Sequence, residues 1–172
     1  GQRAMTAAML DMDLRQLLPD LDPAPPALDV GSVGLDSGQV RPGGLFLALR
    51  GARRHGLEFL HDAIAHGAAA VAWEPDPGLE SPRVPPGVVA IPVPGLRSRI
   101  GAIANRFYAS PSSVMRVMGI TGTNGKTTTA WLAVQALLQL GRRPAYIGTL
   151  GSGIGLHVRP DGLTTPDCLS FH

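Results

Sequence analysis

The chain has 172 residues, 44% of them hydrophobic and 16% charged, with 22 Gly, 16 Pro and one Cys. That apolar content supports a buried core and excludes a mainly disordered chain. The longest apolar runs, Ala68–Trp73 and Val88–Val93, are far too short to span a bilayer. The formal net charge is only +2, and the fourteen arginines are scattered instead of gathered on one aromatic-rich face, which argues against a nucleic-acid binder.

Along the chain, Leu14, Leu17 and Leu18 fall at helical spacing and predict a short helix over 13–18, followed by a Pro- and Asp-rich loop over 20–27. Leu45 to Leu49 reads as a buried strand introduced by the Pro42-Gly43-Gly44 turn. Residues 57–66 read as a helix stopped by Gly67, and 68–73 as the next strand. A proline-rich loop over 75–87 leads to a strand over 88–93, where Pro92 marks a sheet edge or a strand end. Leu96, Ile100, Ile103, Ala104 and Phe107 share one face of a helix predicted over 96–108. Strands and helices in this order predict an α/β unit.

A second unit begins near Ser112. Residues 114–120 read as a strand, 121–125 as a tight loop and 126–140 as a helix ended by Gly141. A strand over 144–148 would close a parallel βαβ crossover. Residues 151–161 read as a glycine-rich loop or hairpin, and Thr165-Pro166-Asp167 as a helix start. The predicted class is therefore α/β: an N-terminal α/β domain over 1–111, then over 112–172 the beginning of a parallel-sheet phosphate-loop domain. The chain reads as a fragment of a longer protein. Its single cysteine, Cys168, cannot make an internal disulfide and fits a reducing cytoplasm. The short apolar stretch ending at Leu10, followed at once by Asp11 and Asp13, does not read as a secretory signal.

The sharpest compositional fact is that Lys126 is the only lysine. Arginine serves wherever a generic surface cation would do, so this position calls for a compact point charge on a flexible stem. Lys126 closes the run Gly122-Thr123-Asn124-Gly125-Lys126-Thr127-Thr128, set between a predicted strand and a predicted helix. Glycines there let backbone N–H groups curl around phosphate oxygens, and the helix N-terminus adds partial positive charge. Lys126 would reach the β- and γ-phosphates of ATP as the catalytic cation, and the Thr127 hydroxyl would sit on Mg²⁺. The loop is shorter than the strict Walker pattern, with Ile120 where that pattern has its first glycine. On this motif alone, kinase, GTPase, transport motor and ligase all stay open.

The run Ile120-Thr121-Gly122-Thr123-Asn124-Gly125-Lys126-Thr127-Thr128-Thr129 resembles the ATP-binding signature of the Mur ligases of peptidoglycan synthesis. Ile147-Gly148-Thr149-Leu150-Gly151 and Leu163-Thr164-Thr165-Pro166-Asp167 are similar to segments of the member that adds the third residue of the stem peptide. Upstream, Leu35-Asp36-Ser37, the run from Val40 to Gly51 and Gly67-Ala68-Ala69-Ala70-Val71 resemble the family's N-terminal domain. The resemblance implies a UDP-sugar-binding domain followed by an ATP-binding domain, with the amine bound in a third. It implies that Leu35, Ser37, Thr164 and Thr165 contact UDP-N-acetylmuramoyl-L-alanyl-D-glutamate and that residues 122–128 hold ATP. Taken alone, Asp36-Ser37 is equally a turn initiator and Thr165 a helix cap.

The implied reaction passes the γ-phosphate to the D-glutamate carboxylate, and an amine then attacks the acyl phosphate. Meso-diaminopimelate is the expected amine, with lysine or another amine as alternatives. The implied protein is a cytoplasmic monomer, and this portion alone is expected to be inactive. Three positions depart from the family pattern. Gly38 stands where Arg is usual after Asp-Ser, His55 where Asp commonly precedes the glycine, and Leu163 where a polar residue is frequent. The family lines the uridine end with the residues after Gly51. Two further readings stay open: a nucleotide-sugar-binding module with a vestigial loop, and an unrelated phosphate-loop NTPase or kinase.

Overall fold

A computed structural model describes residues 11–51, 54–160 and 169. The chain forms two compact units that divide between Pro111 and Ser112.

The first unit opens with β1 (Met12–Asp13), which pairs antiparallel with β2 (Asp29–Val30). Helix α1 (Leu14–Leu17) follows β1 directly, because Asp13 caps it by accepting the Arg15 N–H at 2.8 Å. The Arg15 side chain also hydrogen-bonds that carboxylate and is the main reason the Asp13 carboxyl is held below its ordinary value of 3.8. Leu14, Leu17 and Leu18 are all buried, as their spacing predicts.

The unit is organised around four parallel strands in the order β3 (Val33–Gly34), β4 (Gly44–Ala48), β5 (Ala68–Trp73) and β6 (Val89–Pro92). Leu45 lies opposite Val33 on one side and Ala70 on the other. Every residue of β4 is buried. Since successive side chains point to opposite faces, both faces of this central strand are covered, as in buried parallel sheets. One face holds Phe46, Ala48, Val71 and Trp73 against Ala63 of α2 (Leu60–Ala65), with Leu57 and Leu60 beside them. The predicted helix over 57–66 begins as a 3₁₀ turn, Gly56–Phe59, before α2. β6 lies at the sheet edge and Pro92 is its last residue, which costs no ladder hydrogen bond.

Helix α3 (Leu96–Phe107) buries all five residues of its predicted face, Leu96, Ile100, Ile103, Ala104 and Phe107. Burial of each large one is worth about 1.5–3 kcal/mol. The Arg106 guanidinium donates to the Leu17 carbonyl at 3.0 Å and so ties α3 to α1.

In the second unit α4 (Lys126–Gln139) and β7 (Ala145–Gly148) stand where the sequence places them. The expected parallel crossover does not form. Residues 114–120 carry no strand, and Val114, Val117 and Met118 are 86%, 61% and 65% exposed. β7 instead pairs antiparallel with β8 (Gly151–Ile154), which pairs antiparallel with β9 (His157–Arg159). The reason is proximity along the chain. A two-residue connection brings Gly148 opposite Gly151 at little loop-closure cost, whereas a parallel partner must come from across a whole helix. At Gly153 of β8 this packing admits only glycine. A Cβ on Gly153 would lie 2.0 Å from the His157 carbonyl oxygen. The inner side of α4 meets the sheet through Trp131, which packs edge-to-face on Tyr146 with centroids 5.7 Å apart. Among the described residues, no helix is long and apolar enough to cross a membrane.

Candidate functional site

In the first unit the four parallel strands deliver the segments that follow them to one edge of the sheet. The segment Leu35-Asp36-Ser37 leaves β3, Leu49 to Gly51 leave β4, Glu74 to Asp76 leave β5, and α3 follows β6. Because β3 and β4 are neighbours, the first two segments emerge side by side, at the carboxyl ends of the strands, where open α/β sheets bind ligands. Leu35 and Ser37 are half-buried there. Asp36 accepts the Gly38 N–H at 2.8 Å and caps the 3₁₀ turn Ser37–Gln39, so the turn that Asp36-Ser37 encodes is present and presents Ser37.

Arginines brace this edge. Arg50 pairs with Asp76 at 2.9 Å, which links the chain after β4 to the chain after β5. Arg97, in the first turn of α3, donates to the Arg50 carbonyl. No spacing rule brings Arg50, Asp76 and Arg97 together in the sequence. The parallel sheet does.

In the second unit, residues 121–125 form the bend before α4. Gly125 occupies the N-cap position with φ +78°, a left-handed conformation suited to glycine, and no side chain caps the helix. The first intrahelical bond runs from Thr129 N–H to Gly125 C=O at 2.9 Å. The amides of Lys126, Thr127 and Thr128 in the first turn therefore have no intrahelical acceptor and face outward from a helix N-terminus. The Lys126 ammonium folds back to donate to the Gly122 and Thr123 carbonyls. The Thr127 hydroxyl is 2.7 Å from the Thr149 hydroxyl. The predicted residues Gly122 to Thr128 thus come together as one uncapped, exposed loop and first turn.

Thr149 received no role from the sequence. Its signal lies in the Gly148-Thr149-Leu150-Gly151 turn, which places it beside Thr127 only when β7 folds against α4. Thr164, Thr165 and Cys168 lie outside the described residues. Among the described residues there is no group of three or more His, Cys, Asp or Glu that could hold a metal. Thr127 is the residue whose hydroxyl would be offered to a Mg²⁺ carried by the phosphates.

The chain matches the family description "Mur ligase family, catalytic domain" over residues 29–108 and "Mur ligase middle domain" over residues 120–172. The chain belongs to the Mur ligase family. A Mur ligase of Xylella fastidiosa strain 9a5c, named UDP-N-acetylmuramoyl-L-alanyl-D-glutamate–2,6-diaminopimelate ligase, is 49% identical over 163 residues, 94% of this chain and 32% of its own length. A ligase of the same name from Alkalilimnicola ehrlichii is 44% identical over 159 residues, 89% of this chain and 31% of that protein. A solved structure titled with that ligase name superposes with a TM-score of 0.68 at 28% identity, across 94% of this chain and 32% of that one. The chain thus spans about a third of the length of the Mur ligases it matches.

Proposed function

We propose that this chain is the nucleotide-sugar-binding and phosphate-loop portion of an ATP-dependent ligase. The whole protein would join 2,6-diaminopimelate to UDP-N-acetylmuramoyl-L-alanyl-D-glutamate in the cytoplasm. The observation that carries the reading is the only lysine of the chain. It stands in the uncapped first turn of α4, behind a glycine-punctuated loop, in a sequence 49% identical to a ligase of that name.

In this reading the amides of 126–128 and the Lys126 ammonium hold the β- and γ-phosphates, and Lys126 leaves the Gly122 and Thr123 carbonyls to do so. Thr127 offers its hydroxyl to Mg²⁺, which when bound neutralises charge on the transferring phosphoryl group. Phosphoryl transfer needs little else from a protein than positioning and charge neutralisation. The acceptor is the D-glutamate carboxylate, and the amine displaces phosphate from the resulting acyl phosphate. Leu35 and Ser37, at the carboxyl edge of the first sheet, contact the UDP-sugar, and Thr164 and Thr165 the muramoyl-peptide.

Calorimetric titration of the chain with UDP-N-acetylmuramoyl-L-alanyl-D-glutamate, and separately with Mg·ATP, tests this. Both ligands are expected to bind, without ligation when diaminopimelate is added. Sugar binding without Mg·ATP binding would replace the ligase by a nucleotide-sugar module. Mg·ATP binding without sugar binding would replace it by another phosphate-loop enzyme.

A further inference from the structure

The structure gives the His55 imidazole two jobs at once. Its Nδ1 accepts the Leu57 N–H at 3.1 Å and so caps the 3₁₀ turn Gly56–Phe59. Its Nε2 lies 3.0 Å from the Glu74 carbonyl oxygen, just past the end of β5. A backbone N–H can only donate and a carbonyl can only accept. The ring must therefore be neutral, with its proton on Nε2. An aspartate could make the cap but has no hydrogen for Glu74.

The residues around the ring close the neck of the segment after β4. The His55 N–H donates to the Glu58 carboxylate at 3.1 Å. Gly56 N–H donates to Leu49 at 2.7 Å, Gly51 N–H donates to Arg54 at 2.8 Å, and Arg50 pairs with His55 as an antiparallel bridge. Gly56 is pressed onto β4 so closely that a Cβ there would meet the Ala48 Cα at 2.7 Å. The charged groups on the packed elements are arranged around this neck. Arg54 pairs with Glu58 at 2.8 Å and lies over the Phe59 ring, Arg50 pairs with Asp76, Glu74 supplies the carbonyl, and Arg97 reaches in from α3.

We propose that His55 is a positioning residue for the nucleotide-sugar: a neutral, two-ended clasp that fixes the neck at Gly51 and Arg54 beside Leu35 and Ser37. The proposal rests on the UDP-sugar reading above. A proton added to Nδ1 would set two hydrogens against each other at Leu57 and open the clasp, so ligand binding becomes sensitive to the charge of one ring.

The test compares the wild-type chain with His55→Asn by calorimetry with UDP-N-acetylmuramoyl-L-alanyl-D-glutamate between pH 8 and pH 5, the interval in which imidazole side chains change charge. Asn keeps a cap acceptor for Leu57, is too short for Glu74 and does not titrate. Wild-type affinity is expected to fall about fivefold to tenfold on acidification, the worth of about one hydrogen bond. The variant is expected to bind more weakly at pH 8 and to change little with pH. Every other histidine is the same in both proteins, so the difference isolates residue 55. Nitrogen chemical shifts of the wild-type ring give a second readout that needs no variant and are expected to show the Nε2–H form. Equal pH profiles, or an Nδ1–H ring, would overturn the clasp while sugar binding stands. Failure of a folded wild-type chain to bind the sugar at any pH would remove the UDP-sugar reading and the positioning role with it.

Discussion

Lys126 is the residue on which most of the proposed chemistry converges, and its present contacts say what replacing it would do. Its ammonium satisfies two carbonyls of its own loop from an exposed position, so no core packing depends on it. Lys126→Ala should therefore leave helix content and melting unchanged. It should raise the Kd for Mg·ATP about 10- to 100-fold, the worth of a hydrogen bond to a charged group. Lys126→Arg should restore only part of this, because a planar fork does not fit a site shaped for a point charge. Titration of the three proteins with Mg·ATP decides it, and an unchanged Kd in the alanine variant would remove Lys126 from the phosphate site. The Lys126 signal was legible in sequence because it is local, seven consecutive residues and one count. The Thr127–Thr149 hydroxyl contact was not, because 22 residues separate its partners.

At the scale of elements, α3 shows how far periodicity reaches. All five residues of its apolar stripe are buried, and Ile103 is fully so. Ile103→Ala should cost about 2–5 kcal/mol of stability in urea titration, while Ala102→Ser on the exposed side should stay within about 0.5 kcal/mol. Equal effects would mean that the stripe does not carry the packing. Strand β5 likewise spans the residues its composition marks. Strand β3 was not anticipated, since Val33-Gly34 is too short to show a period, and only its pairing with Leu45 and Phe46 makes it a strand. Residues 114–120 err in the other direction. Their composition favours a strand, but strand propensity measures fit to a paired, half-buried surface, and no described strand pairs with them.

For the whole molecule, the two units differ in how well they bury what they contain. The first encloses both faces of β4, and its sheet interior is closed to solvent. The second leaves Leu132 of α4 and Leu140, the C-cap of that helix, at 60% and 74% exposure, along with the apolar residues before the phosphate loop. Hydrogen exchange should follow this contrast. Amides of β4 and β5 should be the slowest, and those of 114–120 should exchange within the fastest class. Slow exchange across 114–120 would show that the segment is paired in solution.

The sequence by itself determined what local chemistry can state: a lone lysine in a phosphate loop at a helix start, apolar stripes of correct period and the turn at Asp36-Ser37. Each depends on residues within one or two turns of each other. The tertiary structure decided what needs distant partners. It set β3 beside β4 so that Leu35, Ser37 and the Arg50–His55 neck share one edge. It brought His55 to Glu74 and Arg50 to Asp76, and it paired β7 with β8 instead of with residues 114–120. Strand order, register and cross-loop hydrogen bonds are properties of pairs far apart in the chain, and the alternation of residues within any one segment carries no record of its partner.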